Sequence, residues 1–272
     1  MEQKWALILG ASSGFGGASA YELAKAGYNI LGVHLDRQVT MPLVTALTKK
    51  IERLGRKAVF FNINAADPIK RDDVLDEIKE KFATKENPKV SVLIHSLAFG
   101  ALKAYVSNKP EDCITPAQMS MTLDVMAHSL VYWTQGLVHR NLFAEGGRIF
   151  ALTSAGSSTV IPYYGAVSAA KAALESHIRQ LAAEMGRFRI TCNAIMAGVT
   201  DTPALRKIPG NDKMIESARM KNPFGRLTTP EDVAKAIVML CHEGGDWISG
   251  NVIGVDGGEY IVNFTGEKIH YK

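Results

Sequence analysis

Seven short apolar segments alternate with longer amphipathic segments along the chain. Each apolar segment is continuous, which is typical of strands buried on both faces of a parallel sheet. The segments are Trp5–Leu9, Asn29–Val33, Ala58–Ile63, Val90–Ile94, Arg148–Leu152, Ile190–Ile195 and Val252–Val255. Helix-length patterns lie between them at 16–26, 39–54, 69–84, 117–142, 163–186 and 230–243. This alternation predicts an α/β fold built on a doubly wound parallel sheet.

The bulk properties favour a single domain that spans residues 1–272. We find no linker, repeat or low-complexity tract, and 197–228 is the one long irregular region. A net charge of +4 is too weak to indicate nucleic-acid binding. The three cysteines are widely spaced, so we expect free thiols and no metal site. The chain shows neither a signal peptide nor a membrane-spanning apolar run, so we expect a cytoplasmic protein without membrane partners.

A glycine-rich turn follows the first predicted strand and opens the first predicted helix. Glycine allows a sharp turn and a close backbone approach to a pyrophosphate, and the helix N-terminus directs its amides toward the phosphates. The alternative is a tight strand–helix turn that binds nothing. The position at the start of a strand–helix unit favours dinucleotide binding. The residues expected to bind are Gly10, Ser12, Ser13, Gly14, Phe15 and Gly16.

The GxxxGxG spacing, with Lys171 downstream, resembles the short-chain dehydrogenase/reductase family over Gly10 to Gly258. "DGG" at 256–258 and "NAIMAGVTDT" at 193–202 are similar to that family as well. The resemblance implies a Rossmann-type sheet of seven strands that binds a nicotinamide dinucleotide. It also implies that the backbone near Val199 and the Thr202 hydroxyl hold the nicotinamide carboxamide. Gly198 and Thr200 are expected to line the same subsite.

The end of the second predicted strand, "NILGVHLDRQ", bears on which dinucleotide binds. Sites that prefer NAD place a carboxylate at the ribose hydroxyls, whereas NADP sites supply a cation. His34 falls at the expected position, followed by Asp36 and Arg37. Either Arg37 pairs with a 2′-phosphate and Asp36 turns outward, or both are solvated loop charges; we expect NADPH, with NADH possible. Asn64 and Ala65 are expected to border the adenine.

The stretch "PYYGAVSAAK" at 162–171 contains two tyrosines and a lysine at helical spacing. In most of the resembling family the tyrosine lies four residues before the lysine, where this chain has Val167. Tyr164 lies seven residues before Lys171, and seven steps of about 100° fall about 20° short of two full turns. Tyr163 lies eight residues before Lys171, which leaves it about 80° round the helix from that lysine. Tyr164 is therefore the better partner of Lys171.

Tyr-x6-Lys resembles the enoyl-acyl carrier protein reductases of this family, in particular a divergent branch with a GxxxGxG turn. Hydride addition to the β-carbon of an unsaturated thioester develops negative charge on the thioester oxygen. That oxygen is farther along the substrate than a ketone oxygen, so the proton donor has to move with it. The resemblance implies Tyr164 as donor and Lys171 as the ligand of the nicotinamide ribose. It predicts NAD(P)H-dependent reduction of enoyl-acyl carrier protein thioesters in fatty-acid synthesis.

Other segments are similar to the same reductases. In "VLIHSLAFGA", His95, Ser96, Leu97 and Ala98 are expected to lie along the cofactor, and Phe99 on the substrate side. Met126 takes the place of the proton-relay asparagine of the carbonyl reductases. Many enoyl reductases have a second tyrosine ten residues before the first, where this chain has Ser154. Ser154 is a candidate second donor to the thioester oxygen, or a strand-end serine bonded to the backbone.

The irregular region 197–228 is expected to cover the substrate as a lid. Tyr163, Tyr164, Leu205 and Ile208 are the candidate substrate-binding residues, and Met214, Ile215 and Met220 are expected to extend an acyl groove. The basic residues of this region, which are suited to steer an acidic carrier protein or to form a solvated surface, are Arg206, Lys207, Lys213, Arg219 and Lys221.

Two other functions remain open. One is a family member acting on a ketone, hydroxyl or quinone substrate, with Tyr163 or Tyr164 in an unusual place. The other is a dinucleotide-binding sensor without turnover. The resemblance also implies a homotetramer built on the helices at 117–142 and 163–186.

Overall fold

The predicted strands form one parallel seven-stranded sheet in the computed structural model, which describes residues 4–82 and 89–263. The strand order is β3-β2-β1-β4-β5-β6-β7, so the direction of winding reverses between β1 and β4. The strands are β1 Trp5–Leu9, β2 Asn29–His34, β3 Ala58–Asn62, β4 Val90–His95, β5 Phe143–Thr153, β6 Thr191–Ala197 and β7 Val252–Val255. This is the doubly wound arrangement that the alternating pattern predicts.

Eight α-helices are described between and beside these strands. They are α1 Gly14–Lys25, α2 Met41–Glu52, α3 Pro68–Phe82, α4 Pro116–Leu123, α5 Ser129–His139, α6 Gly165–Met185, α7 Asn211–Lys221 and α8 Pro230–Leu240. The last two residues of the helix predicted at 69–84 lie outside the described residues. Within the described ranges, no helix combines the length and the apolarity needed to cross a membrane.

The sheet is buried on both faces because successive side chains of each strand point to opposite sides. In β1, Trp5, Leu7 and Leu9 pack into the core shared with α3, α5 and α6. Ala6 and Ile8 pack on the other side against α1, α2 and α8. All five β1 residues are buried, which explains why the strand reads as a continuous apolar segment rather than an alternating one.

The helical segment predicted at 117–142 is found as a contiguous stretch from Pro116 to His139, but it is not α-helical throughout. A π-helical turn at Asp124–His128 separates α4 from α5. Ser129 Oγ donates to the carbonyl of Val125 at 2.8 Å within this turn. π-turns inside helices recur at functional sites, and Met126 of this turn lines the large cavity described below.

Other predicted features also change. β5 begins at Phe143 rather than Arg148, because Phe143 pairs with Val90 beyond a register shift. The helix predicted at 163–186 begins at Gly165, since Tyr163 has φ 63° and cannot continue a right-handed helix. The region 197–228 is not a long irregular loop, because it contains a 3₁₀ turn and the three-turn helix α7.

Candidate active site

A cavity of about 460 Å³ opens at the carboxyl ends of the strands, beside the point where the winding reverses. In open parallel sheets this edge is where ligands bind. The cavity is lined by loops that follow β4, β5 and β6 and by the first turn of α1. The predicted site residues that line it are Phe15, Ser96, Leu97, Ala98, Ser154, Tyr164, Lys171, Gly198, Val199, Thr200, Thr202, Leu205 and Ile208.

The glycine-rich turn has the backbone that the spacing predicts. Gly10 has φ 88° and Gly14 has φ 54°, conformations that side-chain-bearing residues rarely adopt. A Cβ on Gly16 would lie 2.1 Å from the Gly10 carbonyl oxygen, so α1 packs directly on the turn. Ser13, at the N-cap of α1, makes no side-chain capping hydrogen bond, and the first turn contains no acidic residue. The first amides of α1 therefore remain available to an anion.

Ser154, Tyr164 and Lys171 come together where α6 meets the end of β5. The Ser154 Oγ lies 3.5 Å from the Tyr164 hydroxyl, and Lys171 Nζ donates to the carbonyl of Leu152 at 2.6 Å. Tyr164 is the N-cap residue of α6 rather than part of its first turn, yet it still faces the cavity that Lys171 lines. Burial raises the pKa of Tyr164, and the hydrogen bond with Ser154 opposes that rise.

Lys171 is a buried cation, 5% exposed. Burial lowers its pKa to about 8, and Glu175, one turn farther along α6, opposes that shift. Glu175 is fixed by a 2.6 Å hydrogen bond from the Thr153 hydroxyl. A lysine with a pKa near neutrality responds strongly to neighbouring charge, so Glu175 helps decide whether Lys171 is protonated.

His95 is fully buried at the end of β4. Its Nε2 lies 2.9 Å from the Ser129 Oγ, and its Nδ1 has no hydrogen-bond partner among the described residues. Burial, followed by the positive charge of Lys171, lowers the pKa of His95 to about 3. His95 is therefore neutral and does not line the cavity; the residues after it, Ser96 to Ala98, do.

The segment after β6 borders the cavity close to the glycine turn. Thr202 Oγ1 accepts from the Leu205 amide at 3.2 Å and so caps the 3₁₀ turn, and its methyl lies 3.8 Å from the Cβ position of Gly14. The Val199 amide donates to the carboxylate of Glu259 at 3.2 and 3.4 Å. Glu259 follows the "DGG" sequence and also lines the cavity, a residue that the sequence analysis missed.

The end of β2 places a carboxylate toward the glycine turn. Asp36 Oδ2 lies 2.9 Å from His34 Nδ1, and Asn62 holds the Asp36 backbone through hydrogen bonds to its amide and its carbonyl. Burial alone would raise the pKa of Asp36, but hydrogen bonds with Thr40, Ser12 and His34 together lower it. The supposition that Asp36 turns outward is wrong, since its side chain is only 16% exposed. Arg37 is exposed.

Besides the residues of the glycine turn and the end of β2, four more predicted site residues do not line the large cavity. Asn64 is exposed and accepts from the Ala66 amide, and the carbonyl of Ala65 accepts from the Trp133 indole. Phe99 lines a smaller pocket of about 110 Å³ that also touches Tyr164. Tyr163 is 53% exposed and lines neither pocket.

Helix α7 forms part of the wall of the cavity. Met214 lines it together with Leu205 and Ile208, whereas Met220 is 39% exposed on the outside. Lys213 and Lys221 line the cavity as well. Arg206 instead forms a two-pronged ion pair with Asp201, both hydrogen bonds being 2.6 Å long.

These features together fit a bound dinucleotide. The uncapped amides of α1 suit a pyrophosphate, and Asp36 suits ribose hydroxyls. The cavity beyond them contains one buried cation, Lys171, and two hydroxyls in contact, Ser154 and Tyr164. Within the described residues, no cluster of three or more His, Cys, Asp or Glu is arranged to hold a metal ion.

Comparison with known proteins points in the same direction. The family model described as Enoyl-(Acyl carrier protein) reductase matches residues 10–259. An enoyl-[acyl-carrier-protein] reductase [NADH], FabI, of Aquifex aeolicus is 30% identical over 100% of this chain and 97% of its own. Versicolorin reductase 1 of Dothistroma septosporum is 26% identical over 96% of this chain and 97% of its own.

A solved structure shares the fold. The enoyl-(acyl-carrier-protein) reductase of Anaplasma phagocytophilum, crystallised in complex with NAD, has a TM-score of 0.82. It is 22% identical and covers 100% of this chain and 97% of its own. The seven-stranded Rossmann-type sheet is thus the architecture of known reductases of this kind.

Proposed function

Because the chain belongs to the short-chain dehydrogenase/reductase family, in its enoyl-(acyl carrier protein) reductase group, we propose that it reduces the 2,3 double bond of enoyl thioesters with a nicotinamide dinucleotide. The thioester would be presented on acyl carrier protein, as a step of fatty-acid synthesis. The observation that carries the proposal is the position of Tyr164 in the cavity with Lys171 seven residues later. Val167 stands where a carbonyl reductase would place its tyrosine.

The proposed cofactor site runs from the glycine turn to the segment after β6. Gly10, Gly14 and the first amides of α1 would hold the pyrophosphate, and the backbone near Val199 with the Thr202 hydroxyl the nicotinamide carboxamide. Lys171 would hold the nicotinamide ribose. The reduced nicotinamide, when bound, supplies a hydride, which is two electrons with one proton, and its ring is left with a positive charge.

The proposed proton donor is Tyr164. As the β-carbon of the substrate gains the hydride, negative charge develops on the thioester oxygen, and the Tyr164 hydroxyl would donate its proton to that oxygen. The resulting enol would take a proton from water at its α-carbon and return the oxygen's proton to Tyr164, which gives the saturated thioester. Ser154 Oγ, 3.5 Å from the Tyr164 hydroxyl, would give a second hydrogen bond. Lys171 is protonated at neutral pH, its pKa being about 8, and would favour the enolate electrostatically.

The substrate would enter beneath α7, which we propose as the lid. The apolar side chains of Leu205, Ile208 and Met214 line that part of the cavity and suit an acyl chain. The smaller pocket at Phe99 lies next to Tyr164 and would extend this surface.

The substrate proposal is tested with Tyr164→Phe. In the wild type we expect crotonyl thioester, but not acetoacetyl thioester, to oxidise the reduced cofactor. In the variant we expect kcat to fall about 10²- to 10⁴-fold, because phenylalanine has no hydroxyl proton to donate. Cofactor affinity should change little. Absorbance of the reduced cofactor measures turnover, and Tyr132→Phe, an exposed tyrosine on α5, is the matched control.

Two outcomes contradict this proposal. Oxidation by the β-ketoacyl thioester alone indicates a carbonyl reductase. Loss of turnover in Tyr163→Phe with full activity in Tyr164→Phe assigns the proton donor to the neighbouring tyrosine.

We also propose NADH rather than NADPH as the cofactor. The expectation of NADPH depends on Arg37, but the carboxylate that faces the glycine turn is Asp36. A carboxylate there accepts hydrogen bonds from ribose hydroxyls and repels a 2′-phosphate. The enoyl reductase of Aquifex aeolicus, 30% identical to this chain, is named for NADH.

The test of cofactor choice is Asp36→Asn, which removes the charge and keeps the shape. We expect the ratio of kcat/KM for NADH to that for NADPH to fall about tenfold, since the repulsion of the 2′-phosphate is lost. Arg37→Gln is the control and should leave that ratio unchanged. If the wild type instead prefers NADPH and Arg37→Gln loses that preference, Arg37 is the residue that binds the 2′-phosphate.

The partner proposal concerns the exposed cations near the lid. Lys207 and Arg219 are exposed. Arg206 is paired with Asp201, which offsets its charge, so it attracts an acidic partner less strongly. Carrier proteins are acidic, and complementary charge accelerates their encounter. We expect Lys207→Glu with Arg219→Glu to raise KM about tenfold for the carrier-protein substrate and to change KM much less for a small uncharged thioester, although Lys207 also lines the smaller pocket.

The control for that experiment has the same net charge. Lys79→Glu with Lys235→Glu reverses two exposed cations on α3 and α8, outside the cavity. Equal effects of both double variants, or equal effects on both substrates, would show that Lys207 and Arg219 do not recognise the carrier.

A further inference from the structure

Glu259 is a buried carboxylate that the proposed chemistry does not use. It begins the 3₁₀ turn Glu259–Ile261 after β7, and it is 3% exposed. Gly258 before it has φ 84°, a conformation that turns the chain back toward β6. Within residues 4–82 and 89–263, Glu259 forms no ion pair within 4.0 Å. A buried carboxylate without a paired cation is costly, so it needs a functional or structural reason.

The backbone after β6 holds this carboxylate. The Val199 amide donates to Oε2 at 3.2 Å and to Oε1 at 3.4 Å. A Cβ on Gly198 would lie 3.0 Å from Oε2 and 2.3 Å from the Thr228 hydroxyl. Glycine at 198 therefore lets the carboxylate approach the main chain closely, and Glu259 is fixed at the cavity wall.

The charges around Glu259 leave it largely uncompensated. Burial raises its pKa, the Val199 hydrogen bond opposes the rise, Asp256 adds to it and Lys221 opposes it. The carboxylate lines the same cavity as Tyr164 and Lys171. In such a partly desolvated site a fixed charge acts more strongly on a neighbouring charge than it would in water.

We infer that Glu259 makes the site select the oxidised form of the nicotinamide over the reduced form. The inference rests on the proposed function, in which Val199 and Thr202 hold the carboxamide next to this carboxylate. The oxidised ring is a cation and the reduced ring is neutral, so a nearby carboxylate stabilises only the oxidised form. An interaction that grows as the hydride leaves assists reduction of the substrate.

Two other roles for Glu259 make different predictions. A carboxylate that only ties the β7 turn to Val199 would affect both forms of the cofactor equally. A carboxylate that blocks the Val199 amide would weaken the binding of both cofactor forms in the wild type, so its removal would strengthen the binding of both. Only the charge interaction changes the ratio of the two affinities.

The experiment measures the dissociation constants of NAD⁺ and NADH separately, with no acyl substrate present. NADH binding is followed by its fluorescence, and NAD⁺ binding by calorimetry. In Glu259→Gln, which keeps the shape and removes the charge, we expect NAD⁺ affinity to fall about tenfold and NADH affinity to change less than about twofold. Glu259→Asp, which keeps the charge, should retain most of the preference.

A matched control removes an exposed charge nearby. Glu216 lies on α7, is exposed, and does not line the cavity, so Glu216→Gln should leave both dissociation constants unchanged. Glu259→Ala gives the same test if the glutamine variant does not fold.

An unchanged ratio of the two affinities in Glu259→Gln overturns the inference, whether both affinities stay the same, fall equally or rise equally. The result is distinguishable from a failure of the proposed function. A chain that reduces no enoyl thioester but shows the shifted ratio keeps this role for Glu259, whereas one that reduces enoyl thioesters with an unshifted ratio loses it.

Discussion

The packing of α6 against the carboxyl end of β5 determines the geometry of the site. Three consecutive residues, the last two of β5 and the one that follows the strand, each make one contact with the segment that includes α6. Lys171 donates to the Leu152 carbonyl, the Thr153 hydroxyl donates to Glu175, and Ser154 lies beside the Tyr164 hydroxyl. Lys171 and Glu175 are thus positioned by a helix that packs on a strand, and Ser154 and Tyr164 lie directly at the ends of these two elements, which hold side chains more precisely than loops. Cofactor and substrate would have to fit the space that this pairing leaves.

Three charged groups of the site, a buried cation and two carboxylates, are each held in place by the fold. Lys171 is a buried cation at the centre, with a pKa lowered to about 8 by burial. Two carboxylates flank it along the expected course of the cofactor, Asp36 at the ribose end and Glu259 at the nicotinamide end. Each has its own anchor, His34 and Asn62 for the first and the Val199 amide for the second. The fold therefore fixes the positions of these charges before any ligand binds.

Much of the fold could be predicted from the sequence, because strands buried on both faces leave continuous apolar segments. The π-helical turn between α4 and α5 could not, since such a turn preserves helical composition while it changes the hydrogen bonds. The sequence places the start of α6 two residues too early, because Tyr163 adopts a left-handed conformation that is rare for tyrosine. The direction of Asp36 depends on His34 and Asn62, which the sequence alone does not bring together.

Glu259 shows most clearly why site prediction from sequence is incomplete. It is sixty residues from Val199, and the two meet only because β6 and β7 are neighbours in the sheet. An acidic residue directly after "DGG" was the one available signal. Motif spacing identifies residues close in the chain, such as Tyr164 and Lys171, whereas contacts across loops depend on the order of the strands.

The central claim is that Tyr164, placed seven residues before Lys171, directs reduction to a carbon–carbon double bond. The most direct measurement is a competition between crotonyl and acetoacetyl thioesters with NADH deuterated at the transferable position, followed by NMR of the products. The account predicts deuterium at the β-carbon of the saturated butyryl thioester. Deuterium in the 3-hydroxybutyryl thioester, with the crotonyl thioester unchanged, would contradict it.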